Sequence, residues 1–170
     1  MLTFFNNYIF PKTEKIRAKK LGIKTLIEPI VDESQWQSKS DISKIANELN
    51  VASKEANEHG LVVGYHHHAW EISNKIEDCS ALEFFETLLD REVILEVDAY
   101  WAHAGGASVP DLVARLGQRV KFLHIKDGKN IRDGSSSGGR TLIKISDAAK
   151  QIGTSATGPS TALVWWFFAK

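Results

Sequence analysis

Four short apolar runs alternate along the chain with segments of helical period. The runs are IKTLIEPI from Ile23, LVVGYHHH from Leu61, VILEVDAYW from Val93 and VKFLHIKD from Val120. Short apolar runs between amphipathic segments are typical of βα units, in which a helix follows each buried strand of a parallel sheet. The sequence therefore predicts an α/β protein.

The segments between the runs carry helix signals of their own. Apolar residues repeat at intervals of three and four between residues 42 and 56, and the tetrapeptide SALE from Ser80 is a capping box. The predicted helices run from a cap at Ser40 to Gly60, from Ser80 through Leu89, and from Ser108 to Gly117.

Charge balance, cysteine content and the lengths of the apolar runs limit the partners and the compartment that the sequence suggests. Lys and Arg together number 21, as do Asp and Glu, so neither nucleic acid nor an anionic membrane is indicated as a partner. The single cysteine, Cys79, excludes an internal disulfide and favours a reducing compartment. No apolar run approaches the roughly 20 residues that cross a bilayer, and the aromatic start MLTFFNNYIFPK lacks the basic region of a signal peptide. A cytoplasmic protein is the resulting prediction.

The pattern changes after Asp127. DGKNIRDGSSSGGR reads as a flexible Gly/Ser-rich loop, and TLIKISDAAKQIG is a weak helix candidate. The segment TSATGPSTALVWWFFAK places four aromatic residues in a row, and it either packs as a last strand or is an exposed tail.

Polar side chains that can do chemistry gather where the apolar runs end. Because strand side chains alternate between faces, His66 and His68 are expected on one face and Tyr65 and His67 on the other. Parallel α/β sheets bind ligands at the carboxyl ends of their strands. We expect one pocket that holds His66, His68, Glu96, Asp98, His124 and Lys126, with Glu71 just beyond it on a loop.

A mixed set of imidazoles and carboxylates suits a divalent metal ion such as Mn²⁺, Co²⁺, Mg²⁺ or Zn²⁺. Imidazole supplies nitrogen, carboxylate supplies charge neutralisation, and substrate oxygens can complete the coordination sphere. Lys126 beside such a site would pair with a carboxylate or hold an oxygen-rich substrate.

Each of these residues also has a structural interpretation. A histidine inside an apolar strand, such as His124, is more often a buried structural residue than a ligand. Asp98 can brace the loop that leads to Trp101, and Glu96 can pair with Lys126 across neighbouring strands. The common placement at three strand ends favours one shared site.

The residues after Asp98 leave two alternatives open. Tyr100 and Trp101 can wall a sugar site, because an aromatic face stacks on the C–H face of a sugar, but such residues more often pack in the core or at its rim. Gly105 and Gly106 allow either a close backbone approach to a substrate or a plain turn.

The motifs GLVVGYHHHAWEI, VILEVDAYWAHAGG and RVKFLHIKDGK resemble, in order and spacing, the sugar phosphate isomerase/epimerase family, whose members have a xylose isomerase-like TIM barrel. The resemblance covers residues 13–128. It implies a partial (β/α) TIM-type barrel, from about the fourth to the seventh or eighth strand unit, in a single domain of residues 1–170. Residues 129–170 are then a divergent flexible loop and tail.

The family holds a divalent metal with Glu, Asp, His and Glu from four successive strands. Carried onto this sequence, the resemblance implies Asp98 and His124 as metal ligands and Glu71 as a ligand or a catalytic acid/base. Lys126 is the second predicted catalytic residue. The predicted substrate-binding residues are His66, His68, Trp101 and His103. His67 falls at a position that varies in the family, so the resemblance implies that it is incidental.

The implied function is divalent-metal-dependent proton transfer on a small ketose or sugar derivative through an enediolate. An inosose dehydratase-like lyase is one alternative. A catalytically silent fragment that binds only metal or sugar is another, because no acidic residue follows Asp147 and the family's last-strand glutamate has no counterpart. The predicted partners are a small sugar or polyol, with no nucleic acid and no membrane, and self-association through the open barrel is a further expectation.

Overall fold

The computed structural model describes residues 17–125, which fold as a parallel sheet with helices packed against it. The strands, in chain order, are β1 (Thr25–Glu28), β2 (Val62–His66), β3 (Lys75–Ile76), β4 (Cys79–Ser80), β5 (Ile94–Asp98) and β6 (Val120–His124). The sheet has the order β1-β2-β5-β6 with every neighbouring pair parallel, while β3 and β4 form a separate antiparallel pair. All four predicted strands are present, so the α/β prediction is confirmed.

Helices connect the strands of this sheet. They are α1 (Lys39–Asn57), α2 (Trp70–Ser73), α3 (Ala81–Leu88), α4 (Ala99–Ala104) and α5 (Val109–Leu116), with 3-10 turns at Glu33–Trp36 and Gly117–Arg119. Among the described residues, no helix combines the length and the apolar character that crossing a bilayer requires.

The helix ends follow the capping chemistry of the sequence, with two corrections, both in α1. This helix ends at Asn57, before the predicted Gly60, and it also begins earlier than predicted. Ser38, not the predicted Ser40, caps α1, because Ser38 has an extended backbone and its hydroxyl accepts the Asp41 N–H at 3.2 Å. The capping box of α3 is confirmed, with Ser80 and Glu83 each bonding the backbone of the other. Such caps typically contribute about 1 kcal/mol each.

An aromatic cluster forms the centre of the core. Trp36, Tyr65 and Phe85 are buried, and their ring centroids lie 5.1 to 5.5 Å apart. Tyr65 comes from β2 and Phe85 from α3, so the cluster fastens this helix to the sheet and fixes the strand that carries the histidine run.

Gly105 resolves one alternative left open by the sequence. A Cβ atom at this position would lie 2.5 Å from Ile72 Cβ and 2.7 Å from the Ala69 carbonyl oxygen. The close approach is therefore between the end of α4 and the segment around α2, and glycine is required because that contact has no room for a side chain.

The strand register brings three carboxyl ends together. His66 of β2 pairs with Glu96 of β5, and Asp98 of β5 pairs with His124 of β6. Paired residues of parallel strands point to the same side of a sheet, so these side chains converge.

Candidate metal centre

Two imidazoles and a carboxylate converge at the carboxyl ends of β2, β5 and β6. Asp98 Oδ2 lies 3.7 Å from His66 Nε2 and 3.3 Å from His124 Nδ1. His66 and Asp98 are buried, and one potential ligand atom from each of the three residues lies within 4.8 Å of the other two. We call His66, Asp98 and His124 the triad. The sequence placed all three in one pocket, and the structure brings them into contact.

The end of β5 orients the Asp98 carboxylate. Asp98 is the N-cap of α4, and its Oδ1 accepts the Trp101 N–H at 2.9 Å. The other oxygen, Oδ2, is the one that faces the two imidazoles. Helix capping and the contact with the two imidazoles thus use different oxygens of one side chain.

Glu96 orients the His66 ring from the side. Its Oε1 lies 2.8 Å from His66 Nδ1, and this contact is a hydrogen bond if Nδ1 carries the proton. His66 Nε2 then presents a lone pair toward Asp98. A carboxylate behind a ligating histidine commonly fixes the tautomer and the ring orientation. Glu96 was expected in the pocket, and it lies beside the triad.

His67, which the sequence suggested to be incidental, connects two strand ends. It is 1% exposed; its Nε2 accepts the Asp98 N–H at 3.2 Å, and its Nδ1 lies 3.0 Å from the His68 carbonyl oxygen. Face alternation could not reveal this role because β2 ends at His66 and the rule stops with the strand.

Glu71 is fully buried at the start of α2, behind the histidine run. Its Oε1 accepts a hydrogen bond from the Tyr65 hydroxyl at 2.7 Å, and its Oε2 accepts the His68 N–H at 2.9 Å. Burial raises the pKa of Glu71 to about 7, although these hydrogen bonds and nearby His66 act in the opposite direction. Glu71 is not one of the three triad residues, and its role as ligand or acid/base stays a prediction.

An aromatic wall adjoins the triad. The His68 ring stacks on Trp70, with centroids 4.7 Å apart and planes 8° apart, and its centroid lies 5.7 Å from that of Trp101 and 5.1 Å from that of His66. The predicted substrate residues His66, His68 and Trp101 therefore lie together. The sequence analysis missed Trp70, although its position two residues after the histidine run was the available signal.

Two further predicted residues lie apart from these contacts or outside the described residues. His103 is half-buried in the last turn of α4, and its part in substrate binding stays a prediction. Lys126 lies outside the described residues, as does the segment 129–170.

The donor set of the triad fits a divalent transition metal. Two imidazole nitrogens and one carboxylate oxygen suit Mn²⁺, Co²⁺ or Zn²⁺ better than Mg²⁺, which prefers oxygen ligands. The same three side chains can also form a buried ion-pair network without a metal, since Asp98 contacts both rings directly.

Comparison with known proteins gives no match to any family model. Among curated proteins, the chain is 24% identical over 147 residues to inosose dehydratases of three strains of Mesomycoplasma hyopneumoniae, with 73% of this chain and 48% of the relative covered. The chain thus spans about half the length of the curated relatives that it matches.

Solved structures share the fold. A sugar phosphate isomerase/epimerase from Parabacteroides distasonis superposes with a TM-score of 0.66 at 24% identity, over 83% of this chain and 51% of that one. A D-psicose 3-epimerase, solved in the presence of D-fructose, superposes with a TM-score of 0.57 at 17% identity, over 83% of this chain and 50% of that one. In its described residues the chain therefore has the fold of part of a xylose isomerase-like TIM barrel, and it resembles the sugar phosphate isomerases/epimerases as its motifs predicted.

Proposed function

We propose that this chain provides a divalent-metal site for proton transfer on a small ketose or sugar derivative, as in a sugar isomerase or epimerase. The observation that carries the proposal is the convergence of His66, Asp98 and His124 at the carboxyl ends of three parallel strands. Ligands of parallel α/β sheets bind at this edge, so both the donor set and its location support the assignment.

The triad would hold the ion through the atoms that face one another, which are His66 Nε2, Asp98 Oδ2 and His124 Nδ1. A divalent ion bound there would polarise a substrate carbonyl and acidify the neighbouring C–H bond. Glu96 holds the His66 ring and Trp101 N–H holds Asp98 Oδ1, so two of the three ligand side chains are fixed before any ion binds.

The other predicted residues would bind substrate and carry protons. His68 and Trp101 offer ring faces next to the triad on which the C–H face of a sugar can stack. Glu71 and Lys126 are the proposed acid/base groups. A pKa of about 7 suits Glu71 to proton exchange near neutral pH, when its carboxylate also bonds Tyr65 and the His68 backbone.

An inosose dehydratase-like lyase is the second candidate, and the curated similarity favours it. It would use the same pocket, with expulsion of a hydroxyl group in place of reprotonation at carbon. A binder of metal or sugar without turnover is the third candidate, since the sequence offers no counterpart of the last-strand glutamate.

Calorimetric titration with Mn²⁺ and Co²⁺ tests the metal site first. We expect saturable binding to the wild-type protein. In His124→Ala the metal affinity should fall roughly 100-fold or more, because losing a ligand should cost more affinity than losing an outer-shell partner, which costs about 10–100-fold. His59→Ala is the matched control, since His59 is exposed beyond the end of α1. Equal affinities of wild type and His124→Ala would remove the triad as the metal site.

Nuclear magnetic resonance in D₂O then separates the candidates. Deuterium uptake at the carbon next to the carbonyl of a ketose supports the isomerase or epimerase. Loss of water from an inosose supports the lyase. Metal binding without either reaction supports the silent binder.

We also propose self-association through the open sheet, with a second copy of this chain as the occupant. Within the described residues, β1 is hydrogen-bonded only to β2 and β6 only to β5, whereas a closed barrel of this type has eight strands. Leu21 and Ile23, which precede β1, and Ile30, which follows it, are exposed and add apolar surface around this strand. Light scattering coupled to size exclusion should show dimers or larger species whose fraction grows with concentration. A monomer at all concentrations would contradict this proposal.

A further inference from the structure

We infer that His67 is a positioning residue that fixes Asp98 for cation binding, a role that rests on the proposed metal site. His67 is 1% exposed, and its Nε2 accepts the backbone N–H of Asp98 at 3.2 Å. It reaches from the end of β2 to the end of β5, and it binds the backbone of a triad residue without being a triad residue itself.

The hydrogen bonds define the tautomer of this ring. Nε2 faces an N–H donor, so Nε2 has no proton and accepts. A neutral imidazole then carries its proton on Nδ1, which donates to the His68 carbonyl oxygen at 3.0 Å. Each ring nitrogen is thus used for a different backbone group, as expected of a buried polar side chain.

The place of this bond in the sheet explains its effect. The backbone register between β2 and β5 ends at the pair His66–Glu96, so at Asp98 the His67 ring takes the position of a backbone acceptor from β2. On its other side, Asp98 pairs with His124 of β6. The imidazole therefore extends the connection between β2 and β5 beyond the end of β2, up to the residue that supplies the carboxylate.

Two bonds together determine where Asp98 Oδ2 points. His67 holds the backbone N–H of Asp98, and the Trp101 N–H holds its Oδ1. With the backbone and one carboxylate oxygen fixed, Oδ2 is directed toward His66 and His124. Without the His67 bond, β5 would lose its link to β2 at this residue, and the distance between Asp98 and His66 would vary.

The test compares His67→Ala with His67→Gln. Alanine removes both hydrogen bonds, whereas the Oε1 atom of glutamine can occupy the position of the histidine Nε2 and accept the Asp98 N–H. His59→Ala serves again as the control because it removes an exposed histidine elsewhere. Thermal unfolding by circular dichroism shows whether each variant is folded.

Three readouts go beyond overall stability. In the wild type, imidazole ¹⁵N shifts should show His67 with a protonated Nδ1 and an unprotonated Nε2. In His67→Ala, we expect the Asp98 amide to exchange with solvent at least about 10-fold faster and the affinity for Co²⁺ to fall about 10–100-fold, in the range of outer-shell substitutions. In His67→Gln, both values should return to within about threefold of wild type, because the acceptor is restored.

The outcomes separate this inference from the proposed function. If the wild-type protein does not bind Co²⁺, the proposed metal site is wrong, and so is a role of His67 in positioning Asp98 for cation binding. The ¹⁵N shifts and the Asp98 exchange rate would still decide whether His67 holds the Asp98 backbone. Binding by the wild type with unchanged Asp98 exchange and Co²⁺ affinity in folded His67→Ala overturns the inference alone. If His67→Ala does not fold, two other results would overturn the inference. One is faster exchange of the Asp98 amide in His67→Gln than in the wild type, and the other is the opposite tautomer of His67 in the wild type.

Discussion

Asp98→Asn should lower the affinity of the protein for Co²⁺ and Mn²⁺ by more than about 100-fold, beyond the cost of losing an outer-shell partner. Asparagine keeps the shape of aspartate, and its carbonyl oxygen can still accept the Trp101 N–H that caps α4. It removes the negative charge and turns an amide NH₂ group toward His66 and His124, where the aspartate presents Oδ2. An amide nitrogen of this kind donates hydrogen bonds and does not coordinate a cation.

Isothermal titration of the two metals measures this loss, with Asp111→Asn as the matched control. Asp111 is exposed in the first turn of α5, so its replacement changes the net charge equally without touching the triad. An Asp98→Asn variant that binds as tightly as the control would show that the carboxylate does not ligate the ion.

Glu71→Gln should change how stability depends on pH. The pKa of Glu71 rises from 4.5 to about 7 in the folded protein because the carboxylate is buried. Between these two values the folded state binds more protons than the unfolded state, so the free energy of unfolding of the wild type falls as the pH rises. The loss should reach on the order of 3 kcal/mol by pH 8 and stay constant above that pH. Well below pH 4.5 this group has no effect, since it is then protonated in both states.

Glutamine at position 71 cannot ionise, so that variant should lack this part of the pH dependence. It can still accept the His68 N–H through its oxygen and bond the Tyr65 hydroxyl through its amide. Urea unfolding of both proteins at pH 5 and pH 8 isolates the contribution of Glu71, because the histidines titrate in both. Glu58→Gln, an exposed replacement next to the end of α1, controls for the loss of a surface carboxylate. Parallel pH profiles of wild type and Glu71→Gln would contradict the prediction.

The positions of the triad residues could be predicted because they obey simple rules. His66, Asp98 and His124 each follow the apolar residues of a predicted strand and are its last residue in the structure, and parallel strands align such ends at one edge of the sheet. The α3 capping box was likewise readable from four consecutive residues, since its hydrogen bonds are local.

Elements that depend on tertiary contacts could not be predicted in the same way. The residues of α4 (Ala99–Ala104) include two aromatics that favour strands, and the helix forms because Asp98 caps it. The pair β3–β4 has two residues in each strand, too few for an alternating pattern.

The partners of Glu71 lay equally outside the reach of sequence rules. Spacing predicted that Glu71 lies near the histidine run. It could not predict that the buried Tyr65 hydroxyl donates a hydrogen bond to one of the Glu71 oxygens. The sequence thus indicated which residues gather at the site, whereas the choice between ligand and support needed coordinates.

The adjacency of β2, β5 and β6 in the sheet has a consequence for protein engineering. All three candidate ligands lie between residues 66 and 124, on strands that are neighbours in the sheet. Their spacing is therefore set by these three strands and does not require a closed barrel. We therefore expect that a segment of these three strands, transplanted into another parallel α/β scaffold with the same strand order, would keep the spacing of the three side chains.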